Sequence, residues 1–208
     1  MDGVIMRKIL KITCTFIILI SVFFLGTIAA SHIQLEDQLI RLHVVGESNS
    51  DYDQQIKLQV RDALTSKLND VMAKLPDAET AKAYLQEHLP ELEKIANNAL
   101  RAAGETCTAV VTLAKEKFPT RNYDTFSLPA GVYESLRVTI GAGEGKNWWC
   151  VVFPRLCVSA TTEGFEDTAA GAGFSAPVTG ALTGKKDYQV RFFLMDCFGW
   201  VQNLLFRG

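Results

Sequence analysis

At 208 residues, with 21 Lys and Arg against 23 Asp and Glu and a formal net charge of -2, the chain is long enough for one domain with an ordinary core and is close to electrically balanced. It has neither the clustered basic face that nucleic-acid binding requires nor an acidic block that would act as a solvating tail. Hydrophobic residues make up 48% of the chain, which argues against wholesale disorder.

Arg7, Lys8 and Lys11 precede Ile12 to Ala30, a stretch without a single charge that ends in the small residues Gly26-Thr27-Ile28-Ala29-Ala30-Ser31. A basic start, an apolar run and a small-residue exit form the pattern of a secretory signal. Cleavage after Ala30 puts Ile28 at the third position back, and cleavage after Ala29 puts Thr27 there; neither is the preferred small residue. The run also approaches the ~20 apolar residues that span a bilayer, so residues 1–31 are predicted to be a signal peptide or an uncleaved membrane anchor. In both cases the Lys/Arg end stays inside and the rest is placed outside.

Leu39 to Val45 alternates apolar residues with Arg41 and His43, the period of a half-buried strand. Gly46 to Asn49 predicts a turn, and Ser50 with Asp53 three residues on predicts a capped helix start. That helix carries Ile56, Val60, Leu64, Leu68 and Met72 on one face and stops at Pro76-Asp77. A second helix is expected from Ala78 to His88 and a third from Pro90 to Ala103, stopped by Gly104. Thr106 to Leu113 reads as a strand and Phe118 to Gly131 as a turn-rich segment. Tyr133 to Ile140 and Trp148 to Phe153, joined by the glycine-rich Gly141 to Asn147, predict a β-hairpin. The Gly, Ala, Ser and Thr of Ser159 to Gly184 read as a flexible linker, and Tyr188 to Phe206 as an apolar amphipathic helix.

The expected architecture is therefore α+β: a small mixed domain of a few strands with two or three helices, preceded by an N-terminal signal or anchor helix. Its divisions are 1–31 (signal or anchor), 36–158 (α+β domain), 159–186 (linker) and 187–208 (C-terminal amphipathic element).

Motifs for catalytic chemistry are mostly incomplete. Gly141 to Asn147 lacks the leading glycine and the Ser or Thr that a phosphate loop needs, since Ile140 and Asn147 stand there. Asp167-Thr168-Ala169-Ala170-Gly171 has only a distant likeness to an aspartic-protease loop, without the hydrophobic strand before it. A thiol enzyme could be assembled only by bringing Cys150 to His43 and Asn147 in space, and Cys150 between Trp149 and Val151 fits core packing better. His32, His88 and the carboxylate pairs Glu36-Asp37 and Glu166-Asp167 are expected to be solvated. The exported part holds four cysteines, and Cys150 with Cys157, flanking Phe153-Pro154, is the best candidate disulfide, with free buried thiols as the alternative. No CxxC or His-rich spacing supports a metal site, and no cofactor motif is present. Trp148 and Trp149, adjacent on a strand, are expected on opposite faces of the sheet.

LIRLHVVGESNSDYDQQIKLQVRDAL (Leu39 to Leu64), EKFPTRNY (Glu116 to Tyr123) and LPAGVYESLRVTIGAGEGKNWWCVVFPRLC (Leu128 to Cys157) resemble the signature blocks of the stage II sporulation protein R family. The resemblance covers about Leu39 to Val158 and does not extend to the glycine-rich linker. It implies a non-enzymatic signal, exported from the forespore into the space between the two sporulation membranes, or tethered there. It further implies as partners the membrane, through the N-terminal segment, and a membrane-embedded aspartic protease whose activation leads to processing of the precursor of the early mother-cell sigma factor. Neither a small-molecule substrate nor nucleic acid is implied. The family blocks assign no contact residues; Arg41, His43, Arg61, Trp148 and Trp149 are the expected receptor-contact residues on this sequence, because Arg and aromatics dominate binding hot spots. The competing readings are a secreted thiol-dependent hydrolase and a structural envelope protein.

Overall fold

The computed structural model describes residues 2–154 and 165–206. Helix α1 (Asp2–Asp37) is one unbroken element of 36 residues, long and apolar enough to cross a membrane, with its side chains exposed from residue 5 to residue 26. The hydroxyls of Thr13, Thr15, Ser21 and Ser31 donate to the carbonyl four residues back, and that of Thr27 to the one three back, so the helix hides its own few polar groups.

The sequence places a boundary at residue 31, but α1 runs through it. Ile28, His32, Leu35 and Glu36 recur at helical spacing and are all buried against the domain. His32 is therefore not solvated: its Nε2–H donates to the Ala130 carbonyl at 2.8 Å. Nor is Glu36, whose Oε1 accepts from the backbone N–H of Val132 at 2.6 Å and whose Oε2 accepts from Gln202 at 3.0 Å. These polar residues satisfy backbone groups that a strand start and a helix crossing would otherwise leave unpaired.

The domain is a four-stranded sheet of β1 (Ile40–Val45), β2 (Ala109–Phe118), β5 (Gly131–Ile140) and β6 (Asn147–Phe153), in the order β2-β5-β1-β6. Between β2 and β5 the chain makes a miniature ribbon of β3 (Arg121–Asn122) and β4 (Ser127–Leu128). Strand β1 lies parallel to β5 and antiparallel to β6. The expected β5–β6 hairpin is thus replaced: β1 is inserted between its two arms. The glycine-rich segment instead crosses the end of β1, where Gly145 N–H donates to the Gly46 carbonyl (2.8 Å) and Glu144 N–H to that of Glu47 (3.1 Å). Gly141 and Gly143 adopt φ of +54° and +67°, and a Cβ on Gly145 would overlap the Ser48 carbonyl, so glycine here permits a close backbone crossing.

One face of the sheet packs on α2 (Asp51–Met72) and α3 (Ala78–Ala102). The predicted face of α2, Ile56, Val60, Leu64, Leu68 and Met72, is buried, and Ser50 Oγ accepts from the Asp53 N–H at 3.0 Å as the N-cap. The two helices expected on either side of Pro90 are a single helix. Proline removes one backbone donor, but Ala81, Leu85, Leu92, Ala96 and Leu100 remain buried along the whole length and hold it together.

The opposite face meets the C-terminal part of the chain. The flexible linker expected over 159–186 is instead helical from Phe165: α4 (Phe165–Gly171) and α5 (Ala176–Leu182) bury Phe165, Ala169, Phe174, Val178 and Leu182 in a second core with Ile28, Leu35 and Met195. Small residues between these few large ones let the helices approach closely, a feature that composition alone reads as looseness. The part of the linker before Phe165 lies outside the described residues. The expected C-terminal helix is α6 (Gln189–Leu205), which buries Met195 and Gly199.

Gly199 marks the tightest crossing. A Cβ there would overlap the Ala130 carbonyl oxygen that accepts from His32. Replacing Gly199 with Ala is expected to cost about 1–3 kcal/mol, the usual penalty of overpacking, and to lower the thermal midpoint measured by circular dichroism in detergent.

Candidate functional site

The five residues singled out by the sequence fall on the two faces of the sheet around β1 and β6. Arg41, His43 and Trp149 come together on one face; Arg61 and Trp148 come together on the other, toward α2. The two tryptophans do point to opposite faces, as strand geometry requires.

Arg41 cannot form part of an exposed contact face, because it is fully buried. Its Nη2 donates to the Tyr123 hydroxyl at 3.0 Å, and its guanidinium lies 4.1 Å from the Phe118 ring centroid and 5.0 Å from that of Tyr133. Its Nε and Nη1 have no hydrogen-bond partner. Its charge is thus held mainly by aromatic faces. Period-2 alternation gives this residue its face, but nothing in the sequence shows that the face is covered.

His43, 5% exposed, stacks on Trp149 with ring centroids 3.8 Å apart. Its Nδ1–H donates to Glu116 Oε2 at 3.2 Å, and its Nε2 lies 2.9 Å from the side-chain amide oxygen of Asn147. Arg137 Nη1 donates to the other oxygen of Glu116 at 2.8 Å. Burial pushes the Glu116 carboxyl up, but the hydrogen bonds from His43 and Arg137 outweigh it and hold the group at about 2. Sequence reasoning does not find Glu116 and Arg137. Their signal is cross-strand register, which only the pairing of β5 with β2 and with β1 reveals.

On the helical side, the Arg61 guanidinium lies 4.2 Å over the Trp148 ring. Buried Lys57 ties α2 to the glycine-rich crossing, donating to Gln54 Oε1 and to the Lys146 carbonyl at 2.9 Å, and burial followed by the charges of Lys146 and Arg61 lowers its pKa. Arg121, also unforeseen, lies 5.3 Å from the Trp149 ring centroid. Strand β6 stands at the end of the sheet order, and no strand pairs with its outer side among the described residues. The result is a strand edge flanked by two Arg–Trp pairs, Arg61–Trp148 and Arg121–Trp149.

The geometry disfavours the thiol-enzyme alternative. Cys150 pairs with Leu42 and packs in the α2/α3 core, whereas His43 pairs with Trp149 and projects from the other face. Cys157, the second member of the expected disulfide, lies outside the described residues. Among the described residues, Glu47, Glu105 and Cys107 place three potential ligand atoms within 4.8 Å of one another. Burial, then hydrogen bonding to Glu47, pushes the Cys107 thiol up to about 11.

The fold and site together define an α+β domain carried on an apolar membrane-length helix, with an aromatic-rich sheet edge. The chain belongs to the stage II sporulation protein R family, whose match spans residues 36–163. Stage II sporulation protein R of Bacillus subtilis (strain 168) is 32% identical, in an alignment covering 82% of this chain and 83% of that protein. No solved structure matches the chain. Family membership supports a role in sporulation.

Glu116 gives the site a signature in acid. Its folded pKa is depressed, so its contribution is present above the unfolded value near 4.5 and is lost as pH falls toward 2. Glu116→Gln is expected to lower the urea midpoint at pH 7 and to flatten the loss of stability between pH 5 and 2, measured on the detergent-solubilised chain.

Proposed function

We propose that the chain is an exported intercompartmental signal that activates a membrane-embedded aspartic protease, leading to processing of the precursor of the early mother-cell sigma factor. Membership of the sporulation protein R family carries this reading. The apolar helix α1, which suits either an export signal or an anchor, supports it. So does the separation of Cys150 from His43, which leaves the thiol-hydrolase alternative without an assembled nucleophile and base.

The contact surface proposed for the receptor is the β6 edge with Arg61, Trp148, Arg121 and Trp149. Arg41 and His43 support that edge from beneath. A partner strand or loop added at this edge would pair with the backbone groups on the outer side of β6. Binding there activates the receptor only to the extent that it favours the receptor's active state over its inactive one.

The test is precursor processing in cells that make the chain, the protease and the sigma precursor. Processing should require the chain and should vanish when the receptor's own catalytic aspartates are replaced; cleavage that survives that replacement would overturn the reading. Arg61→Glu combined with Trp148→Ala should reduce processing at least tenfold at equal levels of exported chain. Unchanged processing would remove the β6 edge from the mechanism.

Cys150 is also proposed to pair with Cys157, clamping the end of β6 to the segment beyond it. Alkylation without reduction should then modify only Cys14, Cys107 and Cys197, with mass spectrometry detecting two further modified cysteines after reduction.

A further inference from the structure

The C-terminal helix α6 is amphipathic in the inverse sense to that of a soluble surface helix. It carries two charged residues, and both turn inward: Arg191 Nη1 donates to Ser31 Oγ at 3.1 Å, and Asp196 Oδ1 accepts from the Thr120 hydroxyl (2.5 Å) and the Ala130 N–H (2.7 Å). Gln202 and Asn203 also spend their amides inward, on Glu36 and on the Phe118 carbonyl. Facing outward are Val190, Phe193, Trp200, Val201, Leu204 and Leu205, between 48% and 75% exposed. With exposed Cys197 filling the gap, they make a continuous apolar stripe along the helix. A stripe of this kind, uncharged on the outside and polar within, suits an apolar surrounding.

Its position selects which surrounding. Arg191 grips Ser31, the residue directly after the charge-free run of α1. A bilayer-spanning stretch of about 20 residues ending there leaves the first turn of α6 at the depth of the lipid headgroups. Exposed Lys186 sits just before α6, and Trp200 lies on the stripe; basic and Trp side chains are the residues that favour the membrane interface. We infer that α6 lies on the bilayer surface beside the exit of α1, with Val190, Phe193, Trp200 and Leu204 in contact with lipid. The domain is thus seated on the membrane by two elements and held against it in one orientation. This inference does not depend on the receptor reading.

The test uses the full chain reconstituted in phosphatidylcholine–phosphatidylglycerol vesicles, with the Trp200 signal obtained as the difference between wild type and Trp200→Phe. Lipids brominated near the headgroup end of the acyl chain should quench that signal at least twofold. Acrylamide in the aqueous phase should quench it several-fold less than it quenches free tryptophan. The quenching by lipid should persist over a tenfold range of protein-to-lipid ratio. A Trp200 that acrylamide reaches freely and bromolipid does not would overturn the inference. So would lipid quenching that disappears at high protein density while Cys197 cross-links form, because a second copy of the chain would then cover the stripe.

Discussion

Strand β1 is the element on which the rest of the structure depends. It is six residues long, buried throughout, and paired on both edges, parallel to β5 and antiparallel to β6. Its two faces carry different chemistry. Ile40, Leu42 and Val44 enter the core under α2 and α3, while Arg41 and His43 enter an aromatic layer of Phe118, Tyr133 and Trp149. A one-residue slip of β1 would exchange these sets and drive a guanidinium into the aliphatic core, a cost of several kcal/mol. Arg41 and His43 thus serve to fix the register of the central strand, and through it the placement of both tryptophans at the β6 edge.

The local elements are legible in the sequence wherever periodicity and caps agree. The α2 face, its Ser50 cap, the stop near Pro76, β1, β6 and the C-terminal helix all lie where pattern places them. Pairing at a distance is not legible in the same way. Two apolar runs around a glycine-rich connection give the same local signal whether they pair directly or admit a third strand between them, and only the both-sided burial of β1 distinguishes the two. The glycines do permit a tight backbone path, but that path crosses a strand end.

Ionisable residues depart from their sequence expectation for a related reason. Arg41 and Glu36 are types normally found at the surface and His32 is of an intermediate type, and nothing beside them in sequence shows their partners: an aromatic layer, the start of β5 and the Ala130 carbonyl. A usable sign is nevertheless present. Ile28, His32, Leu35, Glu36 and Leu39 continue one helical stripe into the strand, so the polar members share a face with leucine and isoleucine. Residues 165–182 depart in the other direction, since small side chains suggest slack where they permit close packing around Phe165, Phe174 and Val178.

The same stripe changes how the N-terminal helix relates to the domain. The end of the apolar helix shares a core with the domain. Here Ile28, 2% exposed, lies in the second core beside α5 and α6, and the cut sites after Ala29 and Ala30 fall between it and buried His32. Removing the segment at either site leaves His32, Leu35 and Glu36 in place but takes Ile28 out of the core, a loss of about 1.5–3 kcal/mol of burial. The folded domain is therefore more stable with its apolar helix than without it. The helix that is long and apolar enough to cross a membrane also completes the packing of the domain that follows it, and α6 is positioned against the last turns of that helix.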